Sequence, residues 1–194
     1  MLNACQMPQE ILESISTDNL IKSLMNHPLF FIYSAYNNEL DGVKVVLDNF
    51  NGFKELQKRE DVADKILNFY SESNVSTLIE STKNFRNHKE YIIYHLDFLE
   101  LIITTKQIPT LFNQQNIERL EKIMYEKYEA KLSHINNISL FSIKKSLLLG
   151  AEIKLSKNYL STEDQLLLRE FIKVGGNFSD EKIYTKISKI IILK

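Results

Sequence analysis

The chain has 194 residues, 44% of them hydrophobic, with 24 basic against 25 acidic side chains and a formal net charge of −1. That length suits one sizeable domain or a compact repeat array, and the even charge excludes the global basic footprint of a nucleic-acid binder. With 5 Gly, 3 Pro and no Trp, turn formers are too few for an all-β fold and the composition favours helices.

Residues 1–8 read as a flexible N-terminus and 9–194 as a single α-helical domain. Leu2-Asn3-Ala4-Cys5 has the form of the end of a bacterial lipoprotein signal, with Cys5 as the lipidated residue, although no apolar run precedes it. Cys5 is the one cysteine, so no intrachain disulfide forms. Residues 9–25 then place Ile11, Leu12, Ile15, Leu20, Leu24 and Met25 mostly at three- and four-residue steps, the pattern of an amphipathic helix. Thr17-Asp18-Asn19 breaks it and caps its second half. Pro28 opens a short aromatic helix, Leu29 to Tyr36, stopped by Asn37-Asn38.

Leu40, Val43, Val46, Leu47 and Phe50 form the next stripe, ended by Asn51-Gly52. A longer helix is expected from Phe53 to Tyr70, and a weaker one from Ser76 to Phe85. Lys89 to Thr105 is apolar on several sides, as a helix buried between neighbours would be. After Pro109, Asn113 to Ile135 is amphipathic, with Glu118, Glu121, Lys122, Glu126, Lys127 and Lys131 on the expected solvent face. Ser139 to Leu149 is expected to stop at Gly150. Ser161-Thr162-Glu163-Asp164 starts a helix that ends at Gly175-Gly176, and Ser179 caps a last one with an Ile183, Ile187, Ile190, Ile191 stripe. The pattern predicts an all-α fold: a short solenoid-like stack of about nine helices in antiparallel hairpins.

Apolar positions also repeat: residues 98–124 set against 146–172 pair Leu101 with Leu149, Leu120 with Leu168 and Met124 with Ile172. Ser34-Ala35 followed by Leu40-Asp41 and Val43-Lys44-Val45-Val46-Leu47 resembles the middle of an ankyrin repeat. Ile143 to Ile153, with Gly150-Ala151, and Leu168 to Phe178, with Gly175-Gly176, resemble the family's second-helix endings. His27-Pro28-Leu29 stands, at a displaced spacing, for its Thr-Pro-Leu-His turn, and residues 53–135 carry helical hairpins without an ankyrin motif. The resemblance, partly ankyrin-like and partly HEAT-like, implies a concave surface that binds another protein.

No phosphate-cradling glycine loop and no Cys or His spacing for a metal is present, so no cofactor or metal is expected. Among His27, His88, His95 and His134, His95 invites attention because Asp97 and Glu100 follow it. On a helix, however, the steps from His95 to these two carboxylates point to different faces, so a helical enzyme with a pocket near His95 is the lesser alternative. The sequons at Asn74, Asn137 and Asn177 do not argue for secretion in so Asn-rich a chain. No apolar run reaches the length of a membrane span. The expected function is a non-enzymatic protein–protein interaction module of the bacterial effector, immunity-protein or adaptor type, cytoplasmic or secreted. A lipid-anchored envelope protein using Cys5 is its alternative. The candidate partner-binding residues are Phe30, Phe31, Tyr33 and Tyr36 on the aromatic helix, with Lys182, Lys186 and Lys189 on the terminal basic helix.

Overall fold

The computed structural model describes residues 5–81, 94–105, 112–157, 159–178 and 180–192. Expectations placed on His88, Pro109, Ser179 and residues 1–4 lie outside them. Among the described residues the chain is all-helical, with α1 Gln9–Ser14, α2 Thr17–Met25, a 3-10 helix Phe30–Ala35, α3 Glu39–Asp48, α4 Asn51–Leu56 and α5 Val62–Glu72. Then come α6 Val75–Ser81, α7 Tyr94–Thr104, α8 Gln114–Ser133, α9 Leu140–Ser156, α10 Thr162–Lys173 and α11 Glu181–Ile192.

The helix starts follow cap chemistry. Side chains of Ser16, Asn38, Ser139 and Ser161 each accept a backbone N–H of the first turn that follows. Asn113 and Asn116 satisfy each other's backbone N–H groups in a reciprocal box at the start of α8. At the end of α10, Gly176 N–H donates to Phe171 O and Gly175 N–H to Ile172 O, the paired bonds of a Schellman stop. Gly175 has φ +61°, and a Cβ there would lie 2.6 Å from the Asn38 side-chain oxygen, so both backbone and space require glycine.

Two glycine signals read as stops behave otherwise. Asn51-Gly52 opens α4 rather than closing α3, and the Asn51 side chain bonds Met7 on both its backbone N–H and C=O. Gln6 also donates to Asn49 O, so the stretch expected to be loose is tied down from Gln6 onward. α9 runs straight through Gly150 to Ser156. The missing side chain serves packing: a Cβ there would meet Ile191 Cγ2 at 2.5 Å and Met124 Cε at 3.1 Å. Gly150 is therefore where α11 crosses α9 closely. The expected single helix from Phe53 to Tyr70 is likewise two, α4 and α5.

α7 and α9 hold the centre. α7 packs on α3 and α9, while α9 also carries α8, α10 and α11. From Phe98 to Thr104 every residue of α7 is buried, as its all-round apolar sequence requires. Segments far apart in sequence also meet: the Asn38 side-chain N–H donates to Lys173 O at 3.0 Å, across 135 residues of sequence.

Candidate functional site

The most concentrated polar chemistry lies inside the molecule. α7 presents Asp97 and Glu100 three residues apart, hence on one face. α8 sends Lys131 into the same space, where Nζ donates to Glu100 Oε2 at 2.7 Å, Asp97 Oδ1 at 3.1 Å and the Ser142 carbonyl at 2.9 Å. These bonds use all of the ammonium's protons. Tyr70 Oη and Ser146 Oγ each donate to Glu100 Oε1 at 2.8 Å, and Ser142 Oγ donates to Asp97. Lys131 and Glu100 are both 0% exposed.

Burial drives the Glu100 pKa up, Lys131 pulls it back and Asp97 adds to the rise; the net shift is upward. Burial opposes the Lys131 charge, but the two carboxylates outweigh it and raise its pKa. Burial, then Glu100, lifts the Tyr70 phenol well above its ordinary range. This arrangement corrects the expected solvent face of α8. Lys131 belongs to the core, and Lys127 is buried too, donating to Ser71 O at the end of α5 at 2.8 Å. His95 is not part of the cluster. Its ring stacks on Phe30 at 5.2 Å, and desolvation lowers its pKa.

The aromatic helix divides. Phe30 and Tyr33 are core residues at 7% and 1% exposure, with Tyr33 stacked on Phe98 at 5.4 Å. They are thereby corrected from the partner-facing set. Phe31 and Tyr36 stay exposed at 54% and 40%. Phe31 lies against Phe30, whose ring carries His95 on α7. Asp97 of α7 then meets Ser142 at the start of α9, and Lys145 of α9 pairs with Glu39 at the start of α3. Three helix beginnings thus converge on one edge. There α9 also exposes Leu140 and Phe141, and Lys144 lies 5.1 Å from the Phe141 ring and 4.7 Å from Tyr184. Sequence reasoning missed Leu140 and Phe141. The signal was available, because both apolar residues directly follow the Ser139 cap, outside the stripe that faces inward.

α11 lays Ile187 and Ile191 into the core and leaves Lys182, Lys186 and Lys189 exposed, with Lys186 paired to Glu163. Its apolar face is covered by α9 and α10. Cys5 is a half-buried free thiol. No helix among the described residues is long and apolar enough to cross a membrane.

A separate cleft of about 290 Å³ opens where α7, α8, α9 and α10 meet. Its walls include Ile103, Leu120, Leu149 and Ile153, and its polar lining is Glu152, Ser156 and Arg169. Among known proteins, no family model, no curated sequence and no solved structure matches this chain.

Proposed function

We propose that the protein is a non-enzymatic protein-binding module, a degenerate helical-repeat domain that engages its partner through the edge formed by Phe31, Tyr36, Leu140 and Phe141. The exposure of these four large apolar side chains around converging helix beginnings carries the reading. Aromatic anchors of this kind dominate the energetics of protein interfaces. The segment that resembles an ankyrin repeat supports the same reading, since Phe30–Ala35 and Glu39–Asp48 form a helix pair across a short turn. The other resembling segment, Ile143 to Ile153, lies inside one continuous helix, so the likeness supports a local repeat unit rather than a regular array. An adaptor, effector or immunity protein would each use such an edge.

Photo-crosslinking in cells of the source organism tests this. p-Benzoylphenylalanine placed at position 31 or 141 should capture the same partner, while placement at the exposed position 122 on α8 should not. Phe31→Ala combined with Phe141→Ala should abolish capture from position 36 and leave the helical circular dichroism unchanged. Equal adducts from position 122, or none from 31 and 141, would reject the proposal.

A further inference from the structure

A short strap, residues 5–8, precedes α1 and reaches the junction of α3 and α4. The Asn51 side chain accepts the Met7 N–H at 2.9 Å and donates to Met7 O at 2.8 Å. Gln6 donates to Asn49 O at 2.6 Å and accepts the Asn51 N–H at 2.9 Å. Met7 packs, partly buried, on the core. At the start of the strap the Cys5 backbone lies against the ring of His27.

His27 is 3% exposed, and its ring sits 4.6 Å from that of Phe50. Its Nδ1 accepts the Leu29 N–H at 3.2 Å, and its backbone C=O accepts the Phe30 N–H at 2.9 Å. Leu29 immediately precedes the aromatic helix Phe30–Ala35. The ring therefore does what an Asn or Asp side chain does in an Asx turn. An accepting Nδ1 requires a neutral ring with its proton on Nε2, and Nε2 has no hydrogen-bond partner of ordinary geometry. A second proton goes onto Nδ1, where it opposes the Leu29 N–H.

Nothing around the ring compensates that charge. Lys22 of α2, Asp48 of α3 and Lys54 of α4 are exposed, and Glu55 of α4 pairs with Arg59. The strap's one titratable residue is Cys5, and no charged side chain shifts the titration of the ring. Burial disfavours the proton, and the Cys5 backbone offsets this only in part.

We propose that His27 is a proton-sensitive latch: its neutral ring holds the strap and the turn into the aromatic helix closed, and a second proton opens both. Once the strap and turn open, the ring recovers its ordinary affinity for that proton, so acid favours the open state. The turn leads into the helix that carries Phe31 and Tyr36, so acid loosens one side of the aromatic edge. The latch stands whether or not that edge binds a protein.

Amide hydrogen exchange of the full chain, followed by NMR and corrected for intrinsic rates, tests the latch. At about pH 7.5 the His27 ring should show its proton on Nε2. Protection of Leu29 and Met7 should fall severalfold on going to about pH 5, to a ceiling of about thirtyfold set by one proton binding at the ordinary value of 6.5. At both pH values the two amides should exchange faster than those in the middle of α8, as local opening requires. His27→Asn keeps an acceptor two residues before Leu29 and does not titrate, so its Leu29 and Met7 protection should be the same at both pH values while the helical circular dichroism is retained. The ring tautomer and the two-pH comparison need no variant. A proton on Nδ1, wild-type protection independent of pH, or Leu29 exchange no faster than that of α8 would each overturn the proposal. So would a folded His27→Asn variant with the same acid response as wild type.

Discussion

Replacing Lys131 by Met is the sharpest test of how this interior is held together. The substitution keeps the side-chain length and removes one ammonium that donates to Glu100, Asp97 and the Ser142 carbonyl. Asp97 retains the Ser142 hydroxyl and some exposure. Glu100 is left fully buried, with Tyr70 and Ser146 both on one oxygen and no other hydrogen-bond donor on its second oxygen among the described residues. Removing one partner of a buried pair costs about 3–5 kcal/mol because the remaining charge has lost its compensation. That is a large share of a total stability of about 5–15 kcal/mol. At a urea m-value of about 3 kcal/mol/M, it corresponds to a midpoint drop of roughly 1–1.7 M. Adding Glu100→Gln to Lys131→Met should recover part of the loss, in a double-mutant cycle.

The pH dependence has a definite sign. The folded-state pKa of Glu100 is raised, so the folded protein binds its proton more tightly than the unfolded chain does. Its contribution is greatest when protonated and falls as pH rises through the folded pKa. Lys131→Met removes the cation that pulls this pKa down, so the variant depends more heavily on that proton. The raised Lys131 pKa keeps its own stabilisation intact below its ordinary value of 10.5 and lost only on the alkaline side. Urea unfolding followed by circular dichroism at about pH 7.5 and about pH 5.5 should therefore show the gap between wild type and variant narrowing on acidification. A loss under about 1 kcal/mol, or a gap that does not change with pH, would refute this account.

Tyr70→Phe should cost about 1–2 kcal/mol, less than Lys131→Met, because Ser146 still donates to the same Glu100 oxygen; chemical denaturation measures it. Gly150→Ala should cost about 1–3 kcal/mol through overpacking and speed amide hydrogen exchange in α11, since the new Cβ strikes Ile191; unchanged exchange would mean that the crossing is slack. His27 is 3% exposed, and burial lowers its pKa. The unfolded chain therefore protonates first, and stability falls as pH drops below the ordinary value of 6.5 towards the folded one. His27→Gln should flatten that part of the stability–pH curve; a slope unchanged by the substitution would place its origin elsewhere.

Local chemistry was the legible part of the fold. Ser161 and Asn113 could be read as helix starts and Gly175-Gly176 as a stop, because caps act within a few residues of one another. Gly150 misled because glycine also serves close approach, and the residue that approaches, Ile191, enters through tertiary packing; at Gly52 the space is taken by the ring of Phe50, two residues earlier. Lys131 misled for a related reason. Its charge type matches a solvent face, and its carboxylate partners lie 31 and 34 residues away on another helix. One signal did point inward: Asp97 and Glu100 share a face of a helix that is otherwise apolar, which demands a buried cation from some other element. On the aromatic helix, periodicity could not separate Phe30 and Tyr33 from Phe31 and Tyr36, because a 3-10 turn advances three residues rather than 3.6.

The bond from Asn38 to Lys173 has a consequence for how the chain is made. Its donor leaves the ribosome long before its acceptor, 135 residues later. At a synthesis rate of roughly 5–20 residues per second, the cap of α3 waits about 7–27 seconds for the carbonyl that completes it. Central α9, which carries α7, α8, α10 and α11, is also a late arrival. The early helices must therefore pass through a half-built state in which Glu39 lacks Lys145 and the Asn38 N–H faces water. Closure of the N-terminal third waits until Lys173 has been made, and the folded molecule is held by contacts that no fragment ending before α10 can form.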